Sequence, residues 1–379
     1  MGRRNGSIRS YDMDEILEPN DNEFFDDELT FRRYFSTHPN PVFRKAFTAR
    51  LEVLDFGDSV LNAAIEKLRV EINRRYRANL TKIKPADDMR AIHLDYVASR
   101  ETNALAFYVD DLACVAVSDP AIRKIVDIST NMAISPMVRS ILGVAEGQTE
   151  IVNQAGAFFT MNMQVLICHE LGHIFHGHCF ETARSIPRAE ASNADELCFT
   201  NNIETTMRRQ AMEVDADGYV PKMMLQNLFS SNGSALAEHL QTELPEPEFI
   251  MTFLLLSLGS VFYTLGPRRF HPDRVEHCDH PPALMRMNVF MADIEGWCSE
   301  NQPTLLNWGT LERFQTIMET VASTADAEST RAIWDEQGRF LTSPDGIAYK
   351  DRLYAKREVV RNEMLPHQWH VITPGEEGL

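Results

Sequence analysis

An uncharged stretch, FIMTFLLLSLGSVFYTL from Phe249 to Leu265, constrains this chain more than any other. Leaving so much apolar surface in water costs roughly 25 cal/mol per Å². The stretch must therefore enter either a bilayer or a protein interior. Its 17 residues sit at the lower length limit for spanning a membrane. Ser257, Ser260 and Thr264 recur at helical spacing and form one small, weakly polar stripe, which suits a helix packed among other helices. The expectation is a buried core helix, with membrane association through 249–265 as the alternative.

The rest of the composition narrows the function classes. The chain has 379 residues, enough for a large core and for two or three domains. A net charge of -18 argues against nucleic acid as the main partner, because neutralising phosphates calls for a basic surface. The six cysteines form no C-x-x-C pair. The N-terminal MGRRNGSIRSYDMDEILEP lacks the apolar core of a secretory signal, and Gly6 stands where a myristoylation signal needs Ser or Thr. Reduced thiols in a cytoplasmic protein are expected, with a membrane-associated protein as the alternative.

Along the chain, residues 1–35 are expected to be a flexible acidic arm, with the run Asp21–Glu28 within it. Residues 36–100 read as an N-terminal helical segment, 101–299 as a catalytic domain, and 300–379 as a C-terminal helical segment ending in a tail. Ala104–Val109 and Leu112–Val117 predict a β-hairpin turning at Asp110-Asp111. One of its strands is a candidate edge on which an extended peptide could pair. Helices are expected from Pro120, over Met161–His176 and over Thr206–Phe229, with a polar excursion from Thr182 to Thr205 and a proline-rich loop over 266–282. The fold class is α+β, predominantly helical, with a small antiparallel sheet.

The chemistry is concentrated in MQVLICHELGHIFHGHC, Met163 to Cys179. His169-Glu170-Leu171-Gly172-His173 fits H-E-x-x-H. Residues four apart share one helix face, so both imidazoles can reach one Zn²⁺ at roughly 2.0–2.1 Å. Glu170 adjoins the first ligand and can take a proton from a metal-activated water. The alternative is a partly buried helix whose histidines are satisfied by hydrogen bonds, so a third ligand decides the matter. The metzincin pattern fails by one position, because His176 and Cys179 stand where Gly and His are required. His176 shares the face of His169 but lies roughly 10.5 Å along the axis, too far to join the same ion. Downstream, EVDAD offers Glu213 as the third ligand. Asp217, one turn on, can accept the remaining N–H of a ligand histidine. Asp215 points away from Asp217 and is expected to be exposed or a cap.

Three ordered blocks now carry a resemblance. HELGH with His178, then Glu213-x-x-x-Asp217, then His280-Pro281 followed by Arg286, are similar to the HExxHxxxxH, ExxxD and HPxxxxR blocks of the zincin metallopeptidases typified by the heat-shock protease HtpX and the prenyl-protein endopeptidases. The likeness covers about residues 160 to 290. It implies a zincin-like fold with one Zn²⁺ per chain held by His169, His173 and Glu213, and Glu170 as general base. Asp217 and His178 stand in a supporting shell, and His280 and Arg286 lie near the substrate or the developing oxyanion. Tyr219 is a further expected contributor, since several zincins steady the tetrahedral intermediate with a Tyr or His. That group carries several membrane helices and this chain at most one, so a soluble relative fits better. The phage-exclusion protease Lit is similar in its zinc motif and general layout. The expected function is a zinc-dependent endopeptidase acting on a protein or peptide substrate. The alternative is a non-catalytic zinc-binding regulator on the same scaffold.

Overall fold

The computed structural model describes residues 31–39, 41, 59–79, 83–84, 91–99, 102–109, 112–144, 147–183, 203–266, 270–305, 311–324 and 327–371. Among them the chain runs α1 (Phe31–Ser36), α2 (Ser59–Asn79), β1 (Ile83–Lys84), β2 (Ala91–Val97), β3 (Ala104–Val109), β4 (Leu112–Ser118), α3 (Asp119–Ile134), α4 (Pro136–Leu142), α5 (Gln148–Phe175), α6 (His178–Ala183), α7 (Ile203–Asn227), α8 (Gly233–Leu240), α9 (Glu246–Leu265), α10 (Ala283–Asn301), α11 (Leu311–Thr324), α12 (Ala327–Thr342), α13 (Pro344–Met364) and β5 (His370–Val371). The architecture is α+β and mostly helical. Local signals set several boundaries. Ser118, Ser135 and Ser343 each cap a helix by accepting from a backbone N–H one turn on, with Pro120, Pro136 and Pro344 in the first turn.

The uncharged stretch forms the centre of the molecule. α9 is buried from Phe249 to Tyr263, packed against α3, α5, α10 and α11. Each large apolar side chain so enclosed contributes about 1.5–3 kcal/mol. Its small-residue stripe faces protein: Ser260 Oγ donates to Asn162 Oδ1 at 3.1 Å, and Asn162 Nδ2 donates to Ser129 Oγ at 3.1 Å, which satisfies polar atoms inside the core. By length and composition alone, the stretch Glu150–Phe175 and α9 could each cross a membrane. Most of α9 is nonetheless covered by other helices of its own chain.

The sheet corrects the expectation of an antiparallel pair. β3 and β4 form the expected hairpin, in register from Val109 opposite Leu112 to Ala104 opposite Val117. β2 then adds to the other side of β4 in parallel, giving a mixed sheet in the order β2-β4-β3. β4 is therefore central, and of the two hairpin strands only β3 is an edge. β2 also corrects the helical reading of 36–100. Its sequence AIHLDYV alternates. Ile92, Leu94 and Tyr96 enter the core beneath α5, while Val97 joins Phe31 and Phe35 of α1 on the opposite face. Those two phenylalanines are fully buried, so residues 31–35 are a docked helix and not part of an arm. The α1 backbone is tied to β2 where Phe31 N–H donates to Asp95 Oδ2 at 2.5 Å. The acidic run 21–28 and most of the polar excursion 182–205 lie outside the described residues.

α5 is longer than expected because it lies between two cores. Phe158, Met161 and Val165 pack towards α9, whereas Phe159, Met163, Ile167, Leu171 and Ile174 pack towards the sheet. The end of the chain is also docked. Trp369 is buried, its backbone N–H donates to the Phe175 carbonyl at 3.0 Å, and its Nε1 donates to Tyr108 Oη at 2.9 Å. β5 pairs with β1, so residues 370–371, expected in a tail, belong to a strand.

Candidate metal centre

Two helices build the site. The last two turns of α5 carry His169, Glu170 and His173, and the middle of α7 carries Glu213, Asp215 and Asp217. The helices approach closely because residue 172 has no side chain: a Cβ there would stand 2.6 Å from the Ala216 carbonyl oxygen. The glycine of HELGH thus sets the distance between the two helices. Sequence spacing alone left that distance open.

His169 Nε2 lies 3.3 Å from His173 Nε2 and 3.3 Å from Glu213 Oε2, and His173 Nε2 lies 3.4 Å from Glu213 Oε1. Ligands around one tetrahedral zinc at roughly 2.0–2.1 Å stand about 3.3–3.4 Å from each other. These three side chains could therefore hold one metal ion between them. The supporting residues are placed as the motif spacing implied. Asp217 Oδ1 lies 3.0 Å from His169 Nδ1, which sets Nε2 facing the shared point. Arg286 grips Asp217 in a bidentate pair, Nε and Nη2 each donating at 2.7 Å, and stacks over the Phe262 ring at 4.4 Å. Its Nη2 is also 3.6 Å from Glu213 Oε2.

Charge in this pocket is unbalanced. Among the described residues, three buried or half-buried carboxylates, Glu170, Glu213 and Asp217, face a single guanidinium, that of Arg286. Burial opposes charge on His169, yet hydrogen bonds to Asp217 and Glu213 override it and raise its pKa to about 10. A proton there compensates negative charge that a divalent cation would neutralise. Burial likewise opposes ionisation of Glu213, but the imidazoles of His280, His169 and His173 hold its carboxyl well below the usual carboxylate range. Glu170 shifts the other way: burial raises it, against the lowering influence of His169 and His173. A carboxylate beside the ligands that binds a proton more readily than usual has the character a general base needs.

The remaining expected residues separate. His280 stands at the rim, its imidazole 58% exposed and its Nε2 3.7 Å from Glu213 Oε2. Arg286 is at the site and engaged with Asp217. Tyr219 lies with its ring stacked on Phe175 and edge-on to His176, at the end of α5.

A second cluster adjoins the first. α5 ends at Phe175, and Gly177, in the left-handed region at φ 80°, turns the chain so that His178 swings back beside His173, with Nδ1 to Nδ1 3.0 Å. His176 Nδ1 and His178 Nε2 lie 2.9 Å and 3.3 Å from Asp215 Oδ2. Asp215 is thus buried and central, which corrects the expectation of an exposed or capping residue. It lies about 200° round α7 from both Glu213 and Asp217. There it meets the end of α5 on one side and Arg357 and Arg361 of α13 on the other. This cluster went unread in the sequence. The available signal was Arg357 and Arg361 four apart on one helix face, a pairing that suits a shared buried acid.

No family model, curated protein or solved structure matches this chain. The arrangement itself defines the class of site: a His, His, Glu group on two crossing helices of an α+β, mostly helical protein, able to hold a metal ion.

Proposed function

We propose that the chain is a zinc-dependent endopeptidase of the zincin type, with one Zn²⁺ held by His169, His173 and Glu213. The observation that carries this reading is the convergence of His169 Nε2 and His173 Nε2, 3.3 Å apart, on the Glu213 carboxylate, whose Oε2 lies 3.3 Å from the first and Oε1 3.4 Å from the second, spacings that suit the ligands of one zinc ion. Two imidazoles with one carboxylate suit zinc better than calcium or magnesium, which take all-oxygen sets. When bound, zinc supplies Lewis acidity to a water and to the scissile carbonyl.

The protein's own residues do the rest. Glu170 accepts the proton of the attacking water and passes it to the leaving amide nitrogen. Its buried carboxyl is suited to holding that proton in between. Asp217, locked by Arg286, fixes the tautomer of His169, so that pair positions a ligand. His280, exposed beside Glu213, is placed to donate to a substrate oxygen. β3 is an edge strand of the sheet near α5, but it is buried from Ala106 to Val109 and α6 packs beside it, so substrate pairing is not assigned to it. A cytoplasmic location is part of this proposal; the enclosure of most of α9 by other helices of the chain supports it over membrane association through 249–265.

Metal analysis combined with proteome-wide profiling of new N-termini tests this, with wild-type chain set against Glu170→Gln. One zinc per chain in both, and new termini only with the wild type, is the expected result. Zinc in both with identical termini would transfer the fold to the regulator reading.

A further inference from the structure

The two histidine clusters share an atom-to-atom contact, and its consequence rests on the metal reading above. His173 points Nε2 at Glu213 and His169, and Nδ1 at His178 Nδ1, 3.0 Å away. An imidazole that ligates through Nε2 carries its proton on Nδ1. His173 must then donate to His178, whose Nδ1 accepts. A neutral His178 that accepts at Nδ1 carries its own proton on Nε2, the nitrogen that faces Asp215 Oδ2 at 3.3 Å.

Behind Asp215 stand two guanidiniums. Arg357 Nε is 3.3 Å from Oδ1, and Arg361 donates to the same oxygen. Gly218 leaves room for this: a Cβ there would stand 2.6 Å from Arg357 Nη2. Both arginines belong to α13, more than a hundred residues from the motif. The C-terminal region is also pinned to the end of α5. The Phe180 and His367 rings stack at 3.5 Å, and a Cβ on Gly177 would stand 2.7 Å from the His367 carbonyl oxygen.

We infer that His178, backed by Asp215 and through it by Arg357 and Arg361 of α13, is a positioning relay that fixes the tautomer of His173 and tightens metal binding, making the C-terminal helix part of the metal site. The rival reading, a second metal held by His176, His178 and Asp215, meets two obstacles. Those donor atoms do converge, and His176 Nδ1 and His178 Nε2 make no aligned hydrogen bond. But the relay places a proton on His178 Nε2, where that metal would bind. The local charge opposes it too, because one carboxylate is already shared by two arginines.

Zinc affinity by chelator competition is the test, in the full-length protein, for wild type and for Arg357→Ala with Arg361→Ala. A folded double variant, judged by near-ultraviolet circular dichroism, should hold zinc about 10–100-fold more weakly, the usual effect of losing an outer partner of a ligand histidine. His178→Ala should do the same. His178→Gln should recover affinity, since its amide can accept from His173 and donate to Asp215. Independently of any variant, nitrogen-15 NMR of the zinc-loaded wild type should show protons on His173 Nδ1 and His178 Nε2. Unchanged affinity in the folded double variant, a His178 proton on Nδ1, or two zinc ions per chain each overturn the relay. A wild type that takes up no zinc overturns the metal reading itself, a result distinct from the other three.

Discussion

Two clusters, each of two histidines and one carboxylate, sit within a few ångströms of each other. His169, His173 and Glu213 make one; His176, His178 and Asp215 make the other, and both span the junction of α5 and α7. Their inner geometry is alike, with nitrogen-to-oxygen distances of 3.3 and 3.4 Å in the first and 2.9 and 3.3 Å in the second. What differs is the surrounding charge. The first is flanked by Glu170 and Asp217 against Arg286 alone, and so gathers negative charge. The second is held by Arg357 and Arg361, both on the Asp215 carboxylate, with Asp293 and the more exposed Glu358 on their outer sides. A set of ligand atoms at the right spacing is therefore not sufficient to define a metal site. Residues one layer out decide whether the compensating cation is an ion from solution or an arginine from the chain.

Metal content breaks or sharpens this contrast most directly. Glu213→Ala should reduce zinc from one per chain to none after dialysis, while His176→Ala should leave it at one. The opposite pattern would assign the metal to the wrong cluster. Catalysis comes next. Glu170→Gln should retain zinc yet slow peptide cleavage by about 10²–10⁴-fold, the contribution of a positioned general base, as measured by single-turnover rates. The arginine-held cluster should instead reveal itself in stability. Asp215→Ala strands Arg357 as a buried charge and should lower the unfolding free energy by about 3–5 kcal/mol in urea titration. Arg361, more than a third exposed, adds little to that figure. A loss below about 1 kcal/mol would place the pair among surface ion pairs and end its role as a hub. The smallest effect is steric. Gly172→Ala sets a methyl 2.6 Å from the Ala216 carbonyl oxygen, and should cost about 1–3 kcal/mol by forcing α5 and α7 apart. Because both clusters span that junction, zinc affinity should fall with it. Unfolding and chelator titrations on one preparation check both.

Legibility in the sequence followed the range of each interaction. The hairpin 104–117 was readable with its register, because two apolar runs flank Asp110-Asp111 and pair locally. β2 was not, although Ile92, Leu94 and Tyr96 alternate with His93, Asp95 and Val97. Its partner β4 is parallel and its outer face is covered by α1, both non-local facts. The start of α5 was missed because a helix buried on two sides loses the one-sided apolar stripe that marks an amphipathic helix. Trp369 reads as part of a polar tail until its contacts with Phe175 and Tyr108 are seen. At the site, the spacing of HELGH placed two imidazoles on one face, and the pitch of EVDAD placed Glu213 and Asp217 on another.

The sequence by itself determined that His169 and His173 share one helix face, since helical pitch turns a spacing of four into adjacency, and it marked 249–265 for withdrawal from water, into a bilayer or a protein interior. Only the tertiary structure decided that Asp215 is a buried hub, that His178 returns to His173 across the Gly177 turn, and that one cluster is left negative while its neighbour is filled by arginines. Electrostatic balance is a sum over everything nearby in space, and here the deciding charges on α13 arrive from 142 and 146 residues beyond Asp215.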